Sequence, residues 1–168
     1  MKKSGKIWMR SFRTVDERKR IRLPHYDYSS PGYYFLTVCT KDKAPILSQI
    51  VGHALPGVPV DVRLSEYGEK AERQLLKMAE FYEGIRLDKF VIMPNHIHIL
   101  LRIDGTPGTA CPTVGQFVGT FKRFTKPIEW QPRFYDHVIR DEADYLTKWQ
   151  YIDDNPAKWT EDKENPDA

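Results

Sequence analysis

Two histidines one residue apart, His96 and His98, lie in an otherwise apolar run, MPNHIHILL at residues 93–101. Successive side chains of a β-strand point to opposite faces, so both imidazoles share one face, with their α-carbons about 6.6–6.8 Å apart. Two imidazoles at this spacing can bind one metal ion, although they fill only half of its coordination shell. Two half-exposed histidines without any ligand would show the same pattern, so the spacing alone leaves both interpretations open.

A second polar pair lies near the end of the chain. Tyr151 and Asn155 are four residues apart and would share one face of a helix. Pro156 disfavours further α conformation at the preceding residue, which places the Asn155 amide at the helix end as a candidate third metal ligand. A positioned tyrosine hydroxyl beside a metal can attack a phosphodiester. A hydrolytic metal site would use the same histidines, and the spacing does not distinguish the two chemistries.

Composition predicts one domain in a reducing compartment. The chain has 168 residues, and we expect residues 23–168 to form a single folded domain after an arm at residues 1–22. Cys39 and Cys111 cannot build a disulfide framework, and no CxxC motif is present. The chain contains neither a secretory signal nor an apolar run of the roughly 18–20 residues that would cross a bilayer. The expected location is therefore the cytoplasm.

Hydrophobic periodicity predicts the elements that position these residues. Strands are predicted at 33–40, 46–52, 58–64, 87–94, 96–103 and 133–140. Helices are predicted at 65–82, 113–126 and 141–154. This order favours an α+β fold of the ferredoxin-like kind, an antiparallel sheet with two helices on one face and a C-terminal helix that carries Tyr151. Ile97 would point into the core, and the two histidines would face away from the packed helices, where a cleft can form.

The chain resembles the HUH single-tyrosine transposases and, among them, the REP-associated tyrosine transposases. The resemblance covers roughly residues 21–168 and rests on four stretches: IRLPHYDYSSPGYYFLTVCT, VIMPNHIHILL, VGQFVGTFKRFT and FYDHVIRDEADYLTKWQYIDDNPAKW. PNHIH followed by YIDDNPAKW is the most specific combination. The resemblance implies an RRM-like α+β fold, which agrees with the predicted order of elements. Residues 52–61 resemble a variable insertion.

The resemblance also implies a mechanism. The metal-binding histidines of the family correspond to His96 and His98, and its nucleophile corresponds to Tyr151. Related insertion-sequence transposases have a glutamine ligand where this chain has Asn155. The implied activity is Mg²⁺- or Mn²⁺-dependent cleavage of single-stranded DNA beside a hairpin at repeated extragenic palindromes, with a 5′-phosphotyrosine intermediate and a free 3′-OH. A bacterial, nucleoid-associated protein is implied, either monomeric or homodimeric.

Positively charged residues are candidate DNA contacts. The net charge is only +3, but residues 2–22 contain nine lysines and arginines against two acidic residues. Such an arm suggests a polyanionic partner, although a solvated tail would carry the same charge. The predicted contacts are Arg10, Arg13, Arg18, Arg20 and Arg22 of the arm, Arg102 beside the histidines, and Lys122, Arg123 and Lys126 of the second helix.

Two alternatives from other classes remain open at this point. One is a domesticated hairpin-binding protein without turnover, which would bind DNA with a strong dependence on salt and form no covalent adduct. The other is a metal hydrolase of small substrates, which would need an acidic or histidine ligand close to the pair and would not depend on Tyr151.

Overall fold

Six β-strands and three α-helices make up the part of the chain that the computed structural model describes, residues 26–28, 30–52, 60–105 and 111–165. The strands are β1 (Gly32–Cys39), β2 (Ser48–Val51), β3 (Asp61–Leu64), β4 (Ile85–Ile92), β5 (His96–Ile103) and β6 (Tyr135–Ile139). The helices are α1 (Glu66–Phe81), α2 (Val114–Phe124) and α3 (Glu142–Asp154). A 3₁₀ turn at Trp159–Glu161, which periodicity did not predict, follows α3.

Four of the strands form one antiparallel sheet in the order β4-β5-β1-β6. With α1 before β4 and α2 before β6, this is the β-α-β-β-α-β topology of a ferredoxin-like fold. The fold prediction is therefore confirmed. The two short strands β2 and β3 pair only with each other, as a separate antiparallel ribbon.

The main core lies between the sheet and the helices α1 and α2. The β5 side chains that were predicted to face this core, Ile97, Ile99, Leu101 and Ile103, are all buried there. Both helices begin at a capping side chain: the Ser65 hydroxyl accepts from the Gly68 amide, and Thr113 forms a capping box with Gln116. These caps fix where each helix starts and therefore which stripe of each helix packs on the sheet.

The opposite face of the sheet, where we expected that a cleft can form, is largely covered. The helix α3 packs on this face, and Ile152 forms a second apolar cluster with Phe35, Leu100 and Ile139. His96 and His98 are 0% and 2% exposed. Strand alternation correctly separates the two faces, but it carries no information about which later element returns to cover one of them. Leu146 of α3 is exposed.

Some predictions fall outside the described residues. The basic arm at 1–22, with Arg10, Arg13, Arg18, Arg20 and Arg22, is one of them, and residues 53–59 of the predicted insertion are another. The division into an arm and a domain at 23–168 therefore stays a prediction. No helix among the described residues is long and apolar enough to cross a membrane.

Candidate metal centre and nucleophile

The two imidazoles of β5 point their outer nitrogens at each other. The Nε2 atoms of His96 and His98 are 3.0 Å apart, and the ring centroids are 4.5 Å apart. A metal–imidazole bond is about 2.0–2.1 Å long, so two nitrogens at this separation can contact one ion. The predicted convergence of the two side chains is therefore present within a single strand.

The inner nitrogens of both rings are held by neighbouring side chains. His96 Nδ1 donates to Asn95 Oδ1 at 2.8 Å, and His98 Nδ1 is 2.9 Å from the Thr37 hydroxyl. The Asn95 amide nitrogen in turn donates to the backbone carbonyls of Lys43 and Glu164, which fixes its oxygen towards His96. Partners of this kind orient metal-binding imidazoles and leave the other nitrogen free for an ion.

Burial keeps both imidazoles neutral. Desolvation lowers the pKa of His96 below its usual value, although the carboxylates of Asp162 and Glu164 oppose this shift. Desolvation also lowers the pKa of His98, and the positive charges nearby lower it further. Neutral imidazoles have the lone pairs that a metal ion needs, so both rings are ready to bind at neutral pH.

The start of β5 is set by backbone hydrogen bonds around Pro94 and Asn95. The carbonyl of Pro94 accepts from the Leu47 amide, and that of Asn95 accepts from the Thr40 amide, each at 2.9 Å. The Met93 amide donates to the His96 carbonyl at 2.8 Å, which closes the turn between β4 and β5. This turn separates β4 from β5 and places the histidines at the end of the sheet.

Asp162 is a functional candidate that sequence reasoning missed. Its carboxylate is buried, and one oxygen lies 4.0 Å from His96 Nε2. Ligand atoms of His96, His98 and Asp162 all lie within 4.8 Å of one another. In the sequence this aspartate is one member of an acidic tail, and only the return of the chain after α3 brings it to the imidazoles.

Asn155 lies in the same group, as predicted. The side chain is buried at the end of α3, and its amide nitrogen donates to Asp162 Oδ2 at 2.8 Å. Its amide oxygen is buried and has no hydrogen-bond partner among the described residues. An unpartnered buried acceptor beside two imidazoles and a carboxylate is what a cation would satisfy, so the donor set fits a divalent metal.

The Tyr151 ring lies against the imidazole pair in the same chain. Its centroid is 5.1 Å from that of His98 and 5.8 Å from that of Phe35. Burial raises the pKa of Tyr151, and the charges of Asp162 and Glu164 add to this effect, whereas Asn155 opposes it. The side chain is still 38% exposed. The hydroxyl is therefore protonated at neutral pH and can still be reached from solvent.

A surface depression gives access to this group. Its volume is about 380 Å³, and its lining residues are Tyr151, Asn155, Lys158, Glu161, Asp162 and Lys163. A tyrosine, an amide, two carboxylates and two lysines therefore line one surface depression.

The predicted DNA contacts on the folded domain do not converge on this site. Arg102 shares the histidine face but lies four residues along β5 from His98, about 13 Å away, where it pairs with Asp104 at 2.6 Å. The Lys122 ammonium is half-buried and donates to the carbonyls of Gln131 and Arg133 at 2.7 and 3.3 Å. Its contacts are therefore structural.

Arg123 and Lys126 lie at the end of α2, on the face of the sheet that α1 and α2 cover. Both are exposed, and the Arg123 guanidinium lies 4.9 Å from the Phe124 ring centroid. Single-stranded DNA that enters the depression at Tyr151 would not contact Arg123 or Lys126 within that depression. They remain predicted contacts for a different part of a DNA ligand.

Comparisons with known proteins identify relatives of this chain. No family model matches the sequence. An uncharacterised protein of Haemophilus influenzae is 31% identical over 175 residues, which cover 89% of this chain and 93% of that protein. A second protein of this organism, named "Putative REP-associated tyrosine transposase", is 23% identical over 147 residues, 79% of this chain and 74% of its own.

A solved structure shares the fold. It is a REP-associated tyrosine transposase bound to a REP hairpin, and it superposes with a TM-score of 0.54 at 20% sequence identity. The match covers 82% of this chain and 74% of the solved one. The mixed α/β fold with a four-stranded antiparallel sheet is therefore one that a hairpin-bound protein also has.

Proposed function

We propose that the chain is a member of the family of REP-associated tyrosine transposases and that it nicks and rejoins single-stranded DNA beside a hairpin. The observation that carries the proposal is the Tyr151 ring beside the buried imidazole pair, 5.1 Å from the ring of His98. The solved relative is bound to a REP hairpin, which makes hairpin DNA the proposed partner. The proposed location is the bacterial cytoplasm, where the DNA is.

The proposed metal ligands are the outer nitrogens of His96 and His98 with an oxygen from Asp162 or Asn155. Hard oxygen donors favour Mg²⁺ or Mn²⁺, and imidazole is compatible with Mn²⁺. When bound, such an ion supplies Lewis-acid polarisation of a phosphodiester oxygen.

The proposed step at Tyr151 exchanges one ester for another. The phenolic oxygen attacks phosphorus and loses its proton, the bond from phosphorus to the 3′-oxygen breaks, and that oxygen takes up a proton. The products are a 5′-phosphotyrosine and a free 3′-OH, so the energy of the ester is kept for rejoining. Tyr151 and the imidazoles belong to one chain, so a monomer contains every residue of this proposal.

Covalent trapping tests the proposed function. Wild-type protein incubated with a hairpin-bearing single-stranded oligonucleotide and Mn²⁺ or Mg²⁺ should form an adduct that survives denaturing electrophoresis. The adduct should disappear with EDTA, because the buried donors would then hold no ion. Adduct formation at the same rate in EDTA, or its absence with every single strand and metal tried, would contradict the proposal.

Burial of the imidazole pair supports a second candidate, a hairpin-binding protein without turnover. His96 and His98 are 0% and 2% exposed, and the turn after α3 lies over them, with the Trp159 ring 6.0 Å from that of His96. A permanently covered pair could not act on a phosphodiester. This candidate expects salt-dependent hairpin binding without any adduct, which the same trapping experiment would show.

Replacing Asp162 tests the ligand that only the structure reveals. Asp162→Asn keeps the shape and a carbonyl acceptor for the Asn155 amide but removes the charge 4.0 Å from His96 Nε2. We expect Mn²⁺ affinity, measured by electron paramagnetic resonance, to fall about 10- to 100-fold. This is the range seen when a residue that hydrogen-bonds to the ligands of a metal site is replaced. Glu161→Gln, an exposed neighbour in the same turn, is the matched control. Equal affinity in Asp162→Asn and wild type would exclude Asp162 as a ligand.

A further inference from the structure

Two lysines flank the Tyr151 ring without a carboxylate partner. Lys148 precedes Tyr151 by three residues on α3, and Lys163 lines the same depression. Neither ammonium takes part in any ion pair among the described residues. Two ammonium groups near a proposed nucleophile, neither in a direct ion pair among these residues, could bind an anionic ligand.

The position of each lysine is fixed by an aromatic ring. Lys148 Nζ lies 5.2 Å from the centroid of Phe35, the same ring that contacts Tyr151 and His98. Lys163 Nζ lies 5.8 Å from the centroid of Tyr135. The two ammonium groups therefore lie near aromatic rings of two neighbouring strands, β1 and β6.

Tyr135 supplies an exposed aromatic surface on the same face. It is 45% exposed at the start of β6. It pairs with Thr37 of β1, and Thr37 pairs on its other side with His98 of β5. Tyr135, Thr37 and His98 thus form one row across the sheet, with Tyr135 about 10 Å from His98 at the usual strand spacing. A nucleotide spans a comparable distance, so a base next to the reacting phosphate can reach this ring.

We propose that Lys148, Lys163 and Tyr135 form a track that holds single-stranded DNA across Tyr151. The two ammonium groups bind backbone phosphates on either side of the nucleophile, and the Tyr135 ring stacks on a base. Basic side chains interleaved with exposed aromatic rings are the usual means of binding single strands without reading their sequence. The inference rests on the proposed function, because it names the residues that position its substrate.

Other lysines on this face form ion pairs with carboxylates, unlike Lys148 and Lys163. Lys158 lines the same depression but binds Asp154 at 3.0 Å, and Lys89 binds Asp153 at 2.6 Å. A phosphate would have to compete with a carboxylate at either position. Lys158 is therefore a control with the same charge, and like Lys163 it is exposed and lines the depression.

The salt dependence of binding to oligothymidylate tests the track. Measurements in a Tyr151→Phe background without metal exclude cleavage and any hairpin contribution. Each of Lys148→Gln and Lys163→Gln should lower the slope of log K against log salt by about 0.7, the value for one phosphate contact on a single strand. Tyr135→Leu should weaken binding about 5- to 150-fold, the equivalent of one stacked base, with little change in slope.

Lys158→Gln should leave both affinity and slope close to those of the parent protein. The track would be overturned if the double variant Lys148→Gln, Lys163→Gln kept the parent slope of log K against log salt. It would also be overturned if Lys158→Gln reduced this slope as much as the other substitutions do. Circular dichroism of every variant confirms that the exposed substitutions leave the fold intact. The binding measurement involves no cleavage. A missing covalent adduct would therefore contradict the proposed function and leave this result unchanged. An unchanged salt dependence would contradict the track and leave the adduct experiment unaffected.

Discussion

Tyr151→Phe should abolish the covalent protein–DNA adduct and leave hairpin binding within about twofold of wild type. The substitution removes only the hydroxyl oxygen that would form the phosphotyrosine ester. The ring contacts with His98 and Phe35, at 5.1 and 5.8 Å, stay in place. No buried polar group loses its only partner, so stability should change little. Denaturing electrophoresis measures the adduct, and fluorescence anisotropy without metal measures binding.

Tyr145→Phe is the control for this experiment. Tyr145 lies on the same helix, but its hydroxyl donates to Asp88 Oδ2 at 3.0 Å, and its ring packs on Tyr33. Adduct formation should therefore persist in this variant. An adduct that survives in Tyr151→Phe would exclude Tyr151 as the nucleophile. Strand cleavage without an adduct in that variant would instead favour a metal hydrolase, for which Asp162 offers the acidic ligand next to the pair.

The sequence was sufficient to predict which residues share a face. The alternation in β5 separates Ile97 and Ile99, which are buried under the helices, from His96 and His98. The rule depends only on the geometry of a strand, so it holds wherever the strand is correctly identified. Helix caps are similarly local, because a capping hydroxyl bonds a backbone amide only three residues ahead.

Contacts made after the chain turns back could not be predicted in this way. Asp162 reaches the imidazoles because the 3₁₀ turn Trp159–Glu161 reverses the chain and the Asn95 amide binds the Glu164 carbonyl at 2.7 Å. These contacts join residues about seventy positions apart and leave no periodic signal. Lys163 was overlooked for the same reason: in the sequence it is one charge in an acidic tail.

The position of Arg102 shows a limit of the alternation rule. Side-chain alternation correctly places it on the histidine face, but each pair of residues advances a strand by about 6.6–6.8 Å. Arg102 therefore lies near the far end of β5, over the Tyr33 ring and beside Asp104. Residues on one face of a strand can therefore be too far apart to belong to one site. The distance along β5 decides whether a charged side chain can reach a phosphate bound at Tyr151.

His98→Ala and His96→Ala should each raise the Mn²⁺ concentration for half-maximal adduct formation by more than about 100-fold. Loss of supporting residues alone costs metal sites about 10- to 100-fold, and these substitutions remove a ligand itself. Saturating Mn²⁺ should also raise the melting temperature of wild type and not that of either variant, because only the ion-binding protein gains from the ligand. The melting experiment needs no DNA and so tests the metal site independently of cleavage.

His137→Ala is the matched control, because His137 lies on the neighbouring strand β6 and pairs with Asp144 at 2.7 Å, away from the imidazole pair. His137→Ala should lose some stability and keep the response to Mn²⁺.

His96→Ala and His98→Ala each leave a buried partner unsatisfied, Asn95 Oδ1 in the first and the Thr37 hydroxyl in the second. Both variants should therefore have a lower melting temperature even without metal. If all three variants kept the wild-type rise in melting temperature with Mn²⁺, the imidazoles would be structural histidines, and the ion, if any, would bind elsewhere.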